Sequence, residues 1–197
     1  MPTISLIRSG VDAMDRETKR QAVHFLVCMA ALAVLLLLSR NWLLAFTFSV
    51  LLVGSLLINM KMRDNKISLV EWFVGEFERE GIRFPGWGSA CLATGVLILA
   101  AYVREPAGMA AGLVVLGIGD GASTLFGRRG SHMLPWNQKK TMEGTLAFFI
   151  GSLPAWIFIG PVALPLAAAC ALAESLDIGI DDNLVIPIVC AIVLSVL

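Results

Sequence analysis

The sequence predicts an all-α integral membrane protein with about seven transmembrane helices and cytoplasmic catalytic loops. Hydrophobic residues make up 57% of the 197 residues and charged residues 15%, and the mean hydropathy is +0.81. A bilayer core about 30 Å thick needs ~20 helical residues per span, so six or seven spans would occupy most of the chain. We expect one membrane-embedded domain over residues 1–197, in which residues 1–21 are a cytoplasmic leader.

Seven apolar runs are separated by charged residues or by glycine and proline. The third and fourth runs are short for a bilayer, which leaves a six-span or re-entrant arrangement open. Before the third run, Val70, Phe73 and Phe77 recur at helical spacing and predict an amphipathic linker helix at the membrane surface. The expected spans are residues 22–38, 41–60, 88–103, 105–119, 144–160, 162–176 and 184–197.

The basic residues indicate how these spans are oriented. All lysines and arginines except Arg40 and Arg104 lie in the leader, in residues 61–87 or in residues 117–144, and seven spans put those segments on the same side. The positive-inside rule therefore predicts a cytoplasmic N-terminus and cytoplasmic polar loops. Because the chain has 15 basic and 15 acidic residues, its net charge predicts no nucleic-acid partner.

The first candidate site is the GDG sequence of Gly119, Asp120 and Gly121, where the fourth span is expected to meet the cytoplasm. A carboxylate without bulky neighbours suits a metal-bound phosphate, and glycine lets backbone amides approach phosphate oxygens. On its own, GDG is more typical of a tight turn that caps a span.

A second group of candidates is basic and precedes the fifth span. Arginine binds phosphate bidentately and lysine does so as a point charge. If a helix begins there, Lys140 and Glu143 share one of its faces at spacing i, i+3. A membrane anchor pair with an acidic residue at a helix start explains the same pattern. The candidates are Arg128, Arg129, Lys139, Lys140 and Glu143.

A third group is acidic and follows the sixth span. Glu174 ends a long apolar run, and a carboxylate at such depth costs up to ~3 kcal/mol on insertion scales, which favours a functional role with a partner. Carboxylates hold magnesium, and cations neutralise the phosphates of a nucleotide. The group contains Glu174, Asp177, Asp181, Asp182 and Asn183.

These groups together predict a magnesium nucleotide site, with Mg²⁺ held by Asp120, Asp181 and Asp182. At the start of the first span, Arg20 and His24 lie at spacing i, i+4. They either orient a substrate or are an ordinary interfacial pair.

Three motifs in order, GDG-A-(x)4-GRR, PWNQKKTMEGTLAFFIG and AESLDIGIDDNLVIPIV, resemble the dolichol kinase and phytol kinase family of CTP-dependent polyprenol kinases. The stretches RQAVH and FPGWGSACLATG extend the resemblance over most of the chain. The sequence departs from the family in two places, because RQAVH lacks the usual Arg-Lys pair and RRGSH lacks an aromatic-Gly-Lys ending.

The resemblance implies a polytopic enzyme that uses a divalent cation to transfer the γ-phosphate of CTP to the hydroxyl of a long isoprenoid alcohol. The partners it implies are CTP, the lipid alcohol and membrane lipids. Either Glu174 or Asp182 would accept the proton of the hydroxyl. The positions that match the motifs of the family are Asp120, Lys140, Glu143, Glu174, Asp182 and Asn183.

Two other functions remain open from the sequence. CTP:phosphatidate cytidylyltransferases share a GR-(x)n-KKT-x-EG element, but the HGG and DRxD sequences that usually follow are missing here. An ion-coupled transporter would also carry acidic residues near the membrane. Such a transporter would be expected to carry several charged residues inside the membrane, but in this sequence only Glu174 approaches the middle of a span.

Overall fold

The computed structural model describes residues 2–63, 68–77, 84–176 and 178–196. The helices are α1 Pro2–Leu37, α2 Arg40–Met62, α3 Ser68–Phe77, α4 Trp87–Tyr102, α5 Pro106–Val114, α6 Asp120–Gly127, α7 Met142–Ser152, α8 Trp156–Ile159, α9 Ala163–Ser175 and α10 Asp182–Val196. A π-helical turn covers Val115–Gly119, and 3-10 turns cover Leu153–Ala155 and Gly160–Val162. Strands β1 Met133–Leu134 and β2 Asn137–Thr141 pair antiparallel. The described chain is therefore mostly helical, and the expectation of an all-α protein missed this hairpin.

Four helical segments of the described chain are long and apolar enough to cross a membrane, and α4 and α10 are shorter apolar helices. The four segments are Arg16–Leu37, Arg40–Met62, Pro106–Gly127 and Met142–Ser175. The last segment folds back on itself, because Gly160 has a φ of +57° and α7 packs against α9. A straight helix of its 34 residues would be ~51 Å long and would hold those two helices apart.

The central element is the continuous helix that runs from α5 through the π turn into α6. Its residues Met109, Leu113 and Leu116 have no exposed surface. Helices α1, α4, α7, α8 and α10 all contact it. In a lipid environment such packing is stabilised mainly by close contact between helices, because lipid tails are as apolar as these side chains.

Glycines allow two of these helices to approach the central helix closely. A Cβ atom on Gly117 would lie 2.7 Å from the Cβ of Cys28 on α1, and one on Gly119 would collide with Ser152 on α7. Small residues at helix contacts are typical of membrane proteins. Gly119, which the sequence suggested as part of a phosphate site, therefore has a packing role in the bundle.

The opposite end of the molecule is held by an arginine. The guanidinium of Arg40, at the start of α2, donates to the carbonyls of Ala100 at 2.7 Å and Ala101 at 2.9 Å. These are among the last carbonyls of α4, which have no partner within their own helix. A cation at this position also interacts favourably with the negative end of the helix dipole.

The expected amphipathic linker helix is α3. Phe73 and Phe77 pack on each other with ring centroids 5.2 Å apart. Lys19 on α1 pairs with Glu76 at 2.6 Å and ties α3 to the first helix. The α3 helix thus lies beside the N-terminal part of the bundle. Asp177, one of the acidic candidates, lies outside the described residues.

Candidate functional site

Two cavities adjoin at the end of the bundle where α6, β2 and α10 meet. The first, which we call the amphipathic cavity, has a volume of about 250 Å³. Its apolar wall comes from α1 to α4, and its polar end comes from α1, α6 and the start of α10. The apolar side chains are Val23, Val27, Val50, Phe73, Phe77, Leu92 and Ala93; the polar ones include Arg20, Gln21, His24, Asp120, Asp181, Asp182 and Asn183.

The second, which we call the basic cavity, has a volume of about 170 Å³. It lies between α6, β2 and α7, where Gly127 and Gly144 bring the two helices together. Its cations come from the candidates that the sequence suggested for phosphate binding. The cavity is lined by Ser123, Thr124, Gly127, Arg128, Lys139, Lys140, Thr141, Gly144, Thr145 and Glu174.

A group of four side chains, which we call the Lys140 cluster, lies between the cavities. The ammonium of Lys140 on β2 donates to Asp182 Oδ2 at 2.9 Å and forms a second ion pair with Glu174 Oε1. Ser123 Oγ on α6 also donates to Glu174 Oε1, at 2.7 Å. Since Glu174 lines the basic cavity and Asp182 lines the amphipathic one, the cluster connects the two spaces.

Burial lowers the pKa of Lys140, but the nearby carboxylates of Asp182 and Glu174 raise it more, so the net pKa lies above its ordinary value. Lys140 is therefore a cation throughout the neutral range. Glu174 is 1% exposed, and this pairing stabilises a carboxylate that would otherwise be costly to bury. The depth argument from the sequence correctly anticipated that Glu174 has a partner.

The β-hairpin holds Lys140 in this position. Asn137 Nδ2 donates to the carbonyl of Ser175 at the end of α9, at 3.0 Å, and Asn137 Oδ1 accepts from the amide of Lys139 at 3.0 Å. The indole of Trp136 donates to Ser175 Oγ at 3.3 Å. The hairpin is thus docked on the helix that carries Glu174.

The expected geometry of Lys140 and Glu143 on one helix face is wrong, because α7 begins only at Met142 and Lys140 lies on a strand. Glu143 instead faces the preceding loop. It accepts from the amide of Ser131 at 3.0 Å and lies 2.7 Å from His132 Nδ1. In this structure Glu143 holds the loop that follows the arginines, and Thr141 caps α7 by accepting from the amide of Gly144.

Asp120 lies in a helix and not on an exposed turn, so the expected GDG turn is also wrong. It directly follows the π turn, has helical dihedral angles and is 7% exposed. The amides of Gly119 and Gly121 are part of this helix and form no phosphate loop. A π turn inserts one residue into a helix and often marks a functional position, and here Asp120 lines the amphipathic cavity.

Within the described chain, His24 is the basic side chain that lies within 4 Å of the Asp120 carboxylate. Its Nε2 lies 2.9 Å from the carbonyl of Leu116 in the π turn and 3.7 Å from Asp120 Oδ2. The carbonyl can only accept, so Nε2 carries the hydrogen. Arg20 pairs with Glu17. Both residues that the sequence suggested for orienting a substrate therefore lie at the polar end of the amphipathic cavity.

The remaining candidates take different positions. Asp181 precedes α10 and caps it by accepting from the amide of Asn183 at 3.0 Å, which matches an N-cap. Arg128 and Lys139 line the basic cavity, whereas Arg129 is exposed and lines neither cavity. Arg129 therefore does not border the space in which we expected phosphate to bind.

Five buried side-chain atoms in the described part of the chain have no hydrogen-bond partner, and all of them belong to residues that line the two cavities. An unpartnered buried polar atom costs about 1–3 kcal/mol, so these atoms are positioned for groups of a ligand or for water. In the amphipathic cavity they are Arg20 Nε, Gln21 Oε1 and Asn183 Oδ1; in the basic cavity they are Thr145 Oγ1 and Glu174 Oε2.

Within the described ranges, no three His, Cys, Asp or Glu side chains form a group that could hold a metal ion. The three aspartates expected as ligands do line the amphipathic cavity, but Asp182 is paired with Lys140 and Asp181 caps a helix. Magnesium in nucleotide enzymes is commonly held by one or two carboxylates together with phosphates and water. The oxygen donors present fit that kind of site better than a closed protein cage.

The fold and the site define a mostly helical protein with helices apolar enough to cross a membrane and a polar site at one end. The chain belongs to the same family as the uncharacterized protein MJ1137 of Methanocaldococcus jannaschii. The two are 31% identical over 183 residues, which cover 91% of this chain and 93% of the archaeal protein. No protein-family model matches the chain, and no solved structure matches it.

Proposed function

We propose that the protein is a CTP-dependent kinase that transfers the γ-phosphate to the hydroxyl of a membrane lipid alcohol of the polyprenol, dolichol or phytol type. The observation that carries this proposal is the meeting of an amphipathic and a basic cavity at the Lys140 cluster. A lipid alcohol has one small polar group on a long apolar tail, and a nucleotide brings a run of phosphates. The two cavities match these two chemistries.

The amphipathic cavity would hold the alcohol with its hydroxyl at the polar end. Three carboxylates lie there, on Asp120, Asp181 and Asp182. A neutral hydroxyl donates a hydrogen bond to a carboxylate, whereas an anionic lipid headgroup would face three carboxylates against one arginine, Arg20. This charge distribution favours an alcohol over phosphatidate, and hence a kinase over a cytidylyltransferase.

The basic cavity would hold the phosphates of CTP. Arg128, Lys139 and Lys140 supply cations there, and Thr145 offers a hydroxyl without a partner. The resemblance to polyprenol kinases supports CTP as the donor. In this proposal Glu143 holds the loop beside the basic cavity, and Asn183 lines the amphipathic cavity at the start of α10. Gly119 contributes by helix packing.

The transfer would take place between the cavities. The oxygen of the hydroxyl attacks the γ-phosphorus, the bond from the γ-phosphorus to the bridging oxygen of CDP breaks, and the proton of the hydroxyl passes to a carboxylate. Asp182 is better placed than Glu174 to accept it, because Asp182 lines the lipid side. Lys140 would neutralise charge on the transferred group.

Magnesium would be held by Asp120 together with one of Asp181 and Asp182, and the phosphates and water would supply its other ligands. When bound, it neutralises the developing charge on the phosphates. Asp120 suits this role because it is a buried carboxylate that lines the cavity and lies 3.7 Å from the nearest ring nitrogen of His24.

We also propose seven spans, with the N-terminus and the β-hairpin in the cytoplasm. Three of the long apolar segments would cross once each, and Met142–Ser175 would cross twice, because it reverses near Gly160. The apolar helices α4 and α10 would supply the other two of the seven crossings. The distribution of lysine and arginine gives their direction. The cavities then lie near the cytoplasmic surface, where CTP is available.

An assay of purified protein with γ-labelled CTP, Mg²⁺ and a panel of lipid alcohols tests the function. We expect a labelled lipid phosphate and free CDP. A CDP-lipid with release of pyrophosphate would instead identify a cytidylyltransferase, whose basic nucleotide element this chain shares. Reconstituted protein that forms neither product but moves ions would identify a transporter.

A further inference from the structure

The amphipathic cavity opens sideways through the bundle. Most residues at its inner end are buried, including His24, Leu92 and Asp120 at 7–8% exposure. Three of its apolar lining residues are instead exposed: Val27 on α1 at 43%, Val50 on α2 at 47% and Phe73 on α3 at 38%. Residues that line a cavity and also reach the outer surface mark its mouth.

This mouth lies between α1 and α2, next to Phe73 of α3. Val27 and Val50 lie near the middle of the apolar segments Arg16–Leu37 and Arg40–Met62. The two helices are joined by a tight connection at residues 38–39. Val27 lies about ten residues before the end of α1, and Val50 lies about ten residues after the start of α2. Each is therefore ~15 Å of helix away from the connection. A bilayer core is about 30 Å thick, so an opening at that depth faces lipid tails and not water.

The α2 helix leaves this space open because it packs tightly only near its start. Its buried residues are Leu43 and Thr47, and it packs more extensively on α4 than on α1. Beyond Thr47 the gap between α1 and α2 is partly filled by Phe73 and Phe77 of α3. The first two helices therefore form a cleft that leads to the polar end of the cavity.

The side chains of α1 change along this cleft from polar to apolar. Arg20 lies near the surface, His24 follows one turn deeper, and Val27 follows at the level of the mouth. Residues at this spacing share one face of a helix. This order fits a lipid whose small polar group lies at the polar end of the cavity, near Arg20 and His24, and whose tail passes out past Val27 into the bilayer.

We propose that the tail of the lipid alcohol enters and leaves sideways between α1 and α2, and that Val27 and Val50 determine which tails are accepted. This inference rests on the proposed function for the identity of the lipid. The route itself depends only on the shape and exposure of the cleft. It is therefore testable by binding, without turnover.

A cysteine at the mouth tests the route. The native cysteines in the described chain are all buried, so Val50→Cys provides an accessible thiol for a lipid-soluble maleimide. Leu52→Cys is the matched control, because Leu52 is 50% exposed at the same depth but does not line the cavity. A long isoprenoid alcohol should slow labelling of Val50→Cys at least fivefold and leave Leu52→Cys unchanged.

A bulky side chain at the mouth tests selectivity. We expect Val50→Trp to raise KM for a long isoprenoid alcohol about tenfold with kcat nearly unchanged, and to leave a short, water-soluble prenol unaffected. Leu52→Trp should alter neither substrate. Equal effects on the long and short alcohols would overturn the role of Val50 in selecting tails.

The two proposals fail in different ways. If the alcohol protects both cysteines equally, or neither, the lateral route is wrong even when the protein phosphorylates the lipid. If Val50→Cys alone is protected but the wild-type protein forms no lipid phosphate from CTP, the route stands and the kinase function is wrong.

Discussion

Asp120 shows how a single residue depends on its surroundings. Its glycine neighbours suggest a turn, yet in the structure both are helical, and Gly119 lets α7 pack closely against the central helix. The carboxylate consequently lies in a buried position, 7% exposed, beside His24. A buried carboxylate in a cavity is a stronger functional candidate than one on a surface turn.

The change Asp120→Asn is expected to lower turnover more than tenfold, because asparagine keeps the volume but removes the charge that would hold magnesium. A tenfold loss corresponds to ~1.4 kcal/mol of transition-state stabilisation. The protein should still purify with its normal elution profile. Glu105→Gln makes the same chemical change at the exposed start of the same continuous helix and should have no effect. Turnover above a tenth of wild type would remove Asp120 from the proposed metal site.

Glu174 is expected to matter through the Lys140 cluster. Glu174→Gln leaves an acceptor for Ser123 but removes one of the two charges that hold Lys140. We expect turnover to fall at least tenfold, whereas Ser123→Ala, which removes one hydrogen bond, should cost less than Glu174→Gln. Steady-state kinetics on both variants checks this order. Near-normal turnover of Glu174→Gln would make Glu174 a structural residue only.

At the scale of elements, the β-hairpin carries a cation to the cluster between the two cavities. Asn137 joins the strand to the end of α9 and to the amide of Lys139. Asn137→Ala should therefore displace Lys140 and raise KM for CTP several-fold more than Gln138→Ala, since Gln138 bonds only to the neighbouring carbonyl of Leu134. CTP titrations of the two variants make the comparison. Equal KM values would show that the docking of the hairpin is unimportant for nucleotide binding.

The close approach of α7 to the central helix gives a second prediction at this scale. A methyl group on Gly119 would collide with Ser152 and lie 3.3 Å from ring atoms of Phe148, whereas one on Gly54 would meet nothing within 4 Å. Overpacking typically costs about 1–3 kcal/mol, so Gly119→Ala should lower the thermal midpoint by several degrees. Gly54→Ala, in the exposed part of α2, should not lower it. Thermal unfolding of both variants in detergent provides the measurement, and an unchanged midpoint for Gly119→Ala would contradict the packing seen here.

The sequence predicts the helices of this molecule far better than its local irregularities. The long apolar runs indicate the helices that are long and apolar enough to span a membrane, and the depth of Glu174 predicts that it has a partner. The π turn, in contrast, contains Gly117 and Gly119, which pack against α1 and α7. Contacts between helices that are distant in sequence cannot be read from a local sequence pattern. The strand at residues 137–141 has almost no apolar residues, so its docking on α9 could not be recognised from periodicity.

At the scale of the whole molecule, the proposed orientation puts the site in the cytoplasm. Cysteines at Ser131 and Ile178, which are exposed near the site, should react with a membrane-impermeant maleimide only from the cytoplasmic side. A cysteine at Tyr102, at the far end of α4 and 73% exposed, should react only from the other side. Labelling in sealed vesicles of both orientations checks this. Reaction of Ser131→Cys and Tyr102→Cys from the same side would contradict the seven-span arrangement.

The central claim is that a phosphoryl group passes from CTP to a lipid hydroxyl between the two cavities. The most direct test supplies CTP with distinguishable labels on its α- and γ-phosphates, together with Mg²⁺ and each lipid alcohol of the panel in turn, and measures both labels in the extracted lipid. The kinase predicts γ-label in the lipid without α-label, and loss of that signal in Asp120→Asn but not in Glu105→Gln. A lipid that carries the α-label, or one that carries neither label across the full alcohol panel, would contradict the account.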